Sequence, residues 1–86
     1  MAERKATVKS AVGLHARPAA IFVQAATRVP LDVTVAKTGS APVDAKSILA
    51  VLSLDVRSGE EIVLHADGPD AEQYLDSLAT VLETET

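Results

Sequence analysis

Residues 13–26, GLHARPAAIFVQAA, carry the change of pattern on which the fold turns. Just before them Ala6 to Ser10 (ATVKS) alternates with a period of two and is predicted to be a strand, with Gly13 marking the turn that follows. From Ala16 to Ala26 the pattern becomes helical. Ala19, Phe22, Val23 and Ala26 fall on one stripe of an alanine-rich segment. Pro18 fits only in a first turn, where its missing N–H costs nothing, so the N-cap lies near His15 or Ala16.

Downstream, Leu31 to Lys37 (LDVTVAK) alternates cleanly, with Leu31, Val33 and Val35 on one face. Thr38-Gly39-Ser40 is turn chemistry, and Ala41 to Val43 reads as a short return strand whose Pro42 suits an edge. Ser47 to Leu54 (SILAVLSL) reads as a short helix capped by its serine, with a buried strand as the alternative, since short apolar runs are ambiguous by period alone. After the turn at Ser58-Gly59, Glu61 to Ala66 (EIVLHA) alternates with Ile62, Leu64 and Ala66 inward. Asp67-Gly68-Pro69-Asp70 then opens a last helix with Leu75, Leu78, Ala79 and Leu82 on one stripe. There is no repeat and no linker. The order β-α-β-β-α-β-α predicts one two-layer α+β domain over residues 1–86, helices against an antiparallel-dominated sheet.

With 86 residues, 48% of them apolar, the chain suits a single core and not a disordered segment or a multidomain enzyme. The absence of cysteine excludes a thiol redox centre and a zinc-thiolate site. No apolar run approaches the roughly 18–20 residues of a membrane span, and Met-Ala-Glu-Arg-Lys is a polar opening, so a cytoplasmic protein is expected. One Phe, one Tyr and no Trp, with a net charge of −4, argue against nucleic acid as a partner. The charge is uneven. Residues 1–46 hold seven basic side chains against three acidic, whereas residues 47–86 hold Arg57 against nine acidic. That acidic tail is the expected solvated face of the last helix.

Only His15 and His65 are side chains that ordinarily titrate near neutrality. His15 stands at a glycine-preceded entry to a helix, with a guanidinium two residues on. Free N–H groups at a helix start favour an anion, and Arg17 has the fork geometry that suits phosphate oxygens. A neutral imidazole is a nucleophile, and nearby donors can stabilise a phosphoryl group placed on it. The plain structural alternative makes His15 a polar residue of the cap. Two features count against it. SILAVLSL is apolar nearly all round, so if Val51 and Leu54 enter the core, Ile48, Leu49 and Leu52 are left as a partner surface, unless both faces are buried. A chain this small also has no room for a substrate pocket. A residue that passes a group between larger proteins needs exposure and a docking patch instead. His65 is expected on the exposed face of a strand, and a two-histidine metal site lacks a third ligand; no cofactor is called for.

GLHARPAA resembles the active-site signature of HPr, the family of histidine-containing phosphocarriers of the bacterial phosphoenolpyruvate:sugar phosphotransferase system. AKSILAVLSL and SGEEIVLHADGPDAEQYLDSL extend the likeness over essentially the whole chain. The resemblance implies an open-faced β-sandwich, a four-stranded antiparallel sheet covered on one side by three helices. It implies that His15 accepts a phosphoryl group on Nδ1 from phosphorylated enzyme I, a protein charged by phosphoenolpyruvate. His15 then passes it to sugar-specific IIA domains or proteins. Arg17 matches the active-site arginine and Pro18 the proline of the first turn. Leu14, Ala16, Ala20, Ile48, Leu49 and Leu52 match the apolar docking surface. Ser47 aligns with the serine that a dedicated kinase phosphorylates in some bacterial groups, although it serves as an N-cap whether or not it is modified.

Two departures stand out. Asp55 replaces a glycine common in the family, and Thr38-Gly39-Ser40 with Pro42 replaces a commoner Asn-Gly-Lys hairpin. Neither is expected to touch the histidine loop. The sequence therefore predicts a monomeric carrier that is a substrate of phosphoryl transfer and not an enzyme with its own turnover. The rival readings are a regulatory or ligand-binding α+β module in which His15 is incidental, and a carrier for a nitrogen-linked phosphotransfer chain.

Overall fold

A computed structural model describes residues 2–84. In chain order the elements are β1 (Ala2–Thr7), α1 (Ala16–Thr27), β2 (Val33–Lys37), β3 (Val43–Asp44), α2 (Ile48–Ser53), β4 (Glu61–Ala66) and α3 (Ala71–Glu83). The strands form one sheet in the order β1-β4-β2-β3, with every neighbouring pair antiparallel. The last strand in sequence thus lies inside the sheet. It pairs with β1 from Ala2↔Ala66 to Thr7↔Glu61, and with β2 from Val33↔Ala66 to Lys37↔Ile62. β1 and β2 are consequently parallel to each other, with α1 as their crossover, and α2 makes the equivalent crossover from β3 to β4. Crossovers of one hand place both helices on one face of the sheet. α3 packs against β1 and β4, while α1 packs against both α3 and α2. The open-faced arrangement expected from the sequence is the one found.

The core lies between the layers. Ile62, Leu64 and Ala66 of β4 face the helices together with Val33, Val35, Ala2 and Ala6. Ala19, Phe22 and Ala26 of α1, Val51 of α2, and Leu75, Leu78, Ala79 and Leu82 of α3 meet them, all buried. Each large side chain so buried contributes about 1.5–3 kcal/mol against exposure, and Phe22, with no exposed surface, sits at the centre. The opposite face carries Glu3 and His65, paired across β1 and β4, with His65 Nε2 at 2.6 Å from Glu3 Oε2. His65 is therefore a sheet-face residue, as its alternation predicts.

Three strands differ in their bounds from those read in the sequence, β2 only in beginning at Val33 and not at Leu31. β1 occupies Ala2–Thr7, not Ala6–Ser10. The charged residues of the N-terminus are accommodated because Arg4, on the covered face, reaches past the apolar layer to Asp76 and Glu83 of α3 at 3.1 and 3.8 Å. Val8 stays buried beyond the strand end, so the inward alternation of the segment is as read, while both ends of the strand lie closer to the N-terminus. β3 is Val43–Asp44, not Ala41–Val43. Pro42 has no N–H for the ladder, and the turn is instead closed by Ser40, whose hydroxyl donates to the Lys37 carbonyl at 2.9 Å. The Ser47–Leu54 ambiguity is resolved as helix α2, with the Ser47 hydroxyl accepting from the Ala50 N–H at 3.3 Å.

Candidate functional site

The loop ahead of α1 is fixed from both sides. Gly13 adopts φ +74°, donates to the Ser10 carbonyl at 3.0 Å, and lies so close to the chain after α2 that a Cβ would stand 2.5 Å from the Val56 carbonyl oxygen. Leu14 donates its N–H to that same oxygen at 2.9 Å and sinks its side chain into the core, 1% exposed. Leu14 is thus an anchor of the loop and not part of an accessible docking surface. Its apolar character is used inward, because the loop crosses the end of the core here.

With Leu14 anchored, His15 is set on the rim as the N-cap of α1, with extended backbone and no side-chain capping bond. Its imidazole is 37% exposed. Its carbonyl accepts the first helical bond, from Ala19, at 3.4 Å. Ala16 follows at φ +50°, left-handed backbone that costs a non-glycine residue on the order of 1–3 kcal/mol. Pro18, third in the helix, has no N–H to orphan, and the N–H groups of Ala16 and Arg17 have no intrahelical acceptor. Arg17 is exposed, and its guanidinium has no hydrogen-bond or ion-pair partner among the described residues. The geometry leaves an accessible imidazole, free backbone donors and an unengaged cation at one helix start, which suits a transient anion.

The acidic neighbour of His15 was not foreseen. Asp55 Oδ1 lies 3.2 Å from His15 Nε2, so this departure from the family pattern does touch the histidine, contrary to the sequence expectation. Asp55 follows the C-cap Leu54 of α2 and takes φ +51°, the conformation that glycine favours and aspartate tolerates. Its other carboxylate oxygen is 3.4 Å from the Arg57 guanidinium, and its carbonyl accepts from Lys37 Nζ at 3.2 Å. Arg57 first, and His15 more weakly, hold the Asp55 carboxyl below the ordinary aspartate value. Glu60 is lowered too, chiefly by the Arg57 N–H donating to it at 2.8 Å, with Lys37 at 3.5 Å adding to the effect. The visible signal was an ionisable residue replacing a glycine directly after a helix. What sequence spacing hid was the packing of Gly13 on Val56 that brings the two loops together.

The apolar residues around the histidine divide by depth. Leu49 is 77% exposed and Ile48 38%, with Leu52 half-buried beside them and Val51 and Leu54 turned inward. On α1, Ala16 is exposed and Ala20 half-buried. Because α1 and α2 pack together, these residues adjoin across the two helices. Val12 and Ile21 add exposed apolar surface, and with Ser10, Arg17 and Pro18 they line a shallow groove. Neither residue was singled out from the sequence. Among the described residues no group of three ligand-type side chains could hold a metal ion, and no helix is long and apolar enough to cross a membrane.

Comparison with known proteins agrees with this arrangement. A family model described as the PTS HPr component phosphorylation site matches residues 2–84. The chain is 54% identical over 82 residues to the phosphocarrier protein HPr of Streptomyces coelicolor, covering 95% of this chain and 88% of that one. It is 44% identical over 85 residues to the HPr-like protein Crh of Bacillus subtilis, covering 99% of each. The crystal structure of a phosphocarrier protein HPr from Bacillus anthracis superposes with a TM-score of 0.88 at 40% identity, over 94% of this chain and 95% of that one. A B. subtilis Crh structure is described as a swapped dimer, so similar proteins occur as dimers.

Proposed function

The chain belongs to the HPr family of phosphotransferase-system phosphocarriers, whose members are not enzymes in their own right, and from this membership we propose that it is a working carrier between enzyme I and sugar-specific IIA domains or proteins, phosphorylated at His15. The lone pair of Nδ1 attacks phosphorus, the bond from phosphorus to the donor breaks, and its electron pair leaves with the donor. Onward transfer repeats the displacement with Nδ1 as the leaving atom. Arg17 stands free to meet the phosphoryl oxygens together with the open N–H groups of the helix start. Ala16, Ala20, Ile48, Leu49 and Leu52 form the docking surface, which larger partners need because this chain supplies little else for positioning. The single observation that carries the proposal is His15 itself: an N-cap with no cap bond, 37% exposed, two residues from an arginine with no side-chain partner among the described residues.

On this reading the protein acts in the cytoplasm as a monomer. Ser47, which caps α2 by accepting from the Ala50 N–H, is the residue a serine kinase would modify. The kinship to Crh favours a second reading, a purely regulatory module that takes no phosphate on histidine. One incubation with phosphoenolpyruvate and enzyme I, followed by intact mass measurement, separates the two. A single acid-labile, base-stable phosphate that disappears in His15→Ala is the expected result. No adduct on the unaltered protein would leave the regulatory module as the better account.

A further inference from the structure

Resting on the carrier reading, we infer that Asp55 is a positioning residue for phosphoryl transfer: it keeps the proton of His15 on Nε2, so that Nδ1 is the nitrogen with the free lone pair. A carboxylate held ionised by Arg57 has no proton to give. At 3.2 Å from Nε2 it can be satisfied by the ring only as an acceptor, which requires hydrogen on that nitrogen. In the neutral ring, which carries a single N–H, the second nitrogen then holds the free lone pair.

The same contact serves the charged intermediate. When the Nδ1–phosphorus bond forms, the ring becomes a cation that still carries its Nε2 proton, and the Asp55 carboxylate stands against that charge. When phosphorus leaves, the electron pair returns to Nδ1 and the ring is neutral again. Both half-reactions thus proceed without a proton moving to or from the ring. The carboxylate would repel a phosphoryl group, but two features limit this. It approaches the other nitrogen of the ring, and Arg57 partly offsets its charge, while Arg17 has no side-chain partner among the described residues. The charged groups around the pair are Arg17 from α1, Arg57 and Glu60 from the loop before β4, and Lys37 from β2. Lys37 and Arg57 hold Asp55 at its carbonyl and its carboxylate, so the side chain is aimed and not merely near.

The test compares unaltered protein with Asp55→Gly and Asp55→Asn. Glycine suits the φ of +51°, so the first variant keeps the fold while removing the carboxylate. Nitrogen-15 NMR of the His15 ring, without any donor, reads the tautomer directly. Phosphorylated enzyme I then supplies the transfer rate. Expected are a fall in the Nε2–H population in Asp55→Gly, its partial recovery in Asp55→Asn, and transfer slowed about two- to fivefold by either, the range of a solvent-exposed charge pair. Identical ring shifts in the unaltered protein and Asp55→Gly, or equal transfer rates, would overturn the inference. Failure of the unaltered protein to take phosphate from enzyme I overturns the carrier reading and the transfer half of the inference together. The ring shifts alone then decide the tautomer half.

Discussion

Gly13, in the loop that holds His15, and Asp55, in the loop that meets it, both lie in left-handed backbone, for different reasons. Gly13 is there because nothing larger fits: a Cβ would meet the Val56 carbonyl oxygen at 2.5 Å and the Arg57 Cα at 2.8 Å. Gly13→Ala is therefore expected to cost more than about 1 kcal/mol in urea unfolding, and to change the amide NMR signals of residues 14–16 and 55–57 together. A neutral result would mean that the two loops are not locked to one another. Asp55 instead uses its conformation to aim a carboxylate. Asp55 and Glu60 both sit below their ordinary values of 3.8 and 4.5. A lowered acid stabilises the folded state above its unfolded value and loses that contribution as the pH falls through its folded value. The loss accordingly sets in as the pH falls through 4.5 for Glu60 and 3.8 for Asp55 toward their lower folded values. Asp55→Asn with Glu60→Gln should flatten the fall of Tm over that range, leaving the slope above pH 6 unchanged; an unaltered acid limb would contradict the assignment.

At the scale of the element, α2 separates a buried face from an exposed apolar one within six residues. Val51 has no exposed surface and Leu49 is 77% exposed, two positions apart on a helix whose turn is about 3.6 residues. Val51→Ala should lower stability by roughly 1–3 kcal/mol, as expected for removing buried methyl groups. Leu49→Ser should leave Tm within about a degree, since it lies outside the core, yet weaken transfer from enzyme I. Ser47→Asp, which adds charge at the start of the same surface, should behave as Leu49→Ser does. Stopped-flow transfer alongside thermal melts checks all three; an unchanged rate in Ser47→Asp or Leu49→Ser would remove α2 from the docking surface. The helix itself was legible only in part. Its apolar run and serine cap favoured a helix, as found, while the period of so short a run left a buried strand as the alternative.

At the scale of the molecule, the separation of charge along the chain is partly used within the fold. Arg4 from the basic half ties β1 to Asp76 and Glu83 of α3 in the acidic half. Arg17, also from the basic half, remains without a partner among the described residues and faces outward beside His15. Docking on an acidic surface follows from that: neutralising acidic residues of enzyme I should slow transfer and flatten its salt dependence, and no change in either would refute it. By itself the sequence determined the element types, the inward faces of β4 and α3, and the identity of His15 and Arg17. These depend on local periods, caps and a contiguous motif, all of which are written in neighbouring residues. Only the tertiary structure decided that β4 enters the middle of the sheet, that Arg4 can occupy a covered strand position, that Leu14 is core, and that Asp55 meets His15. Each of these joins segments far apart in the chain. Their contact is set by how whole elements pack, a property that no local spacing encodes.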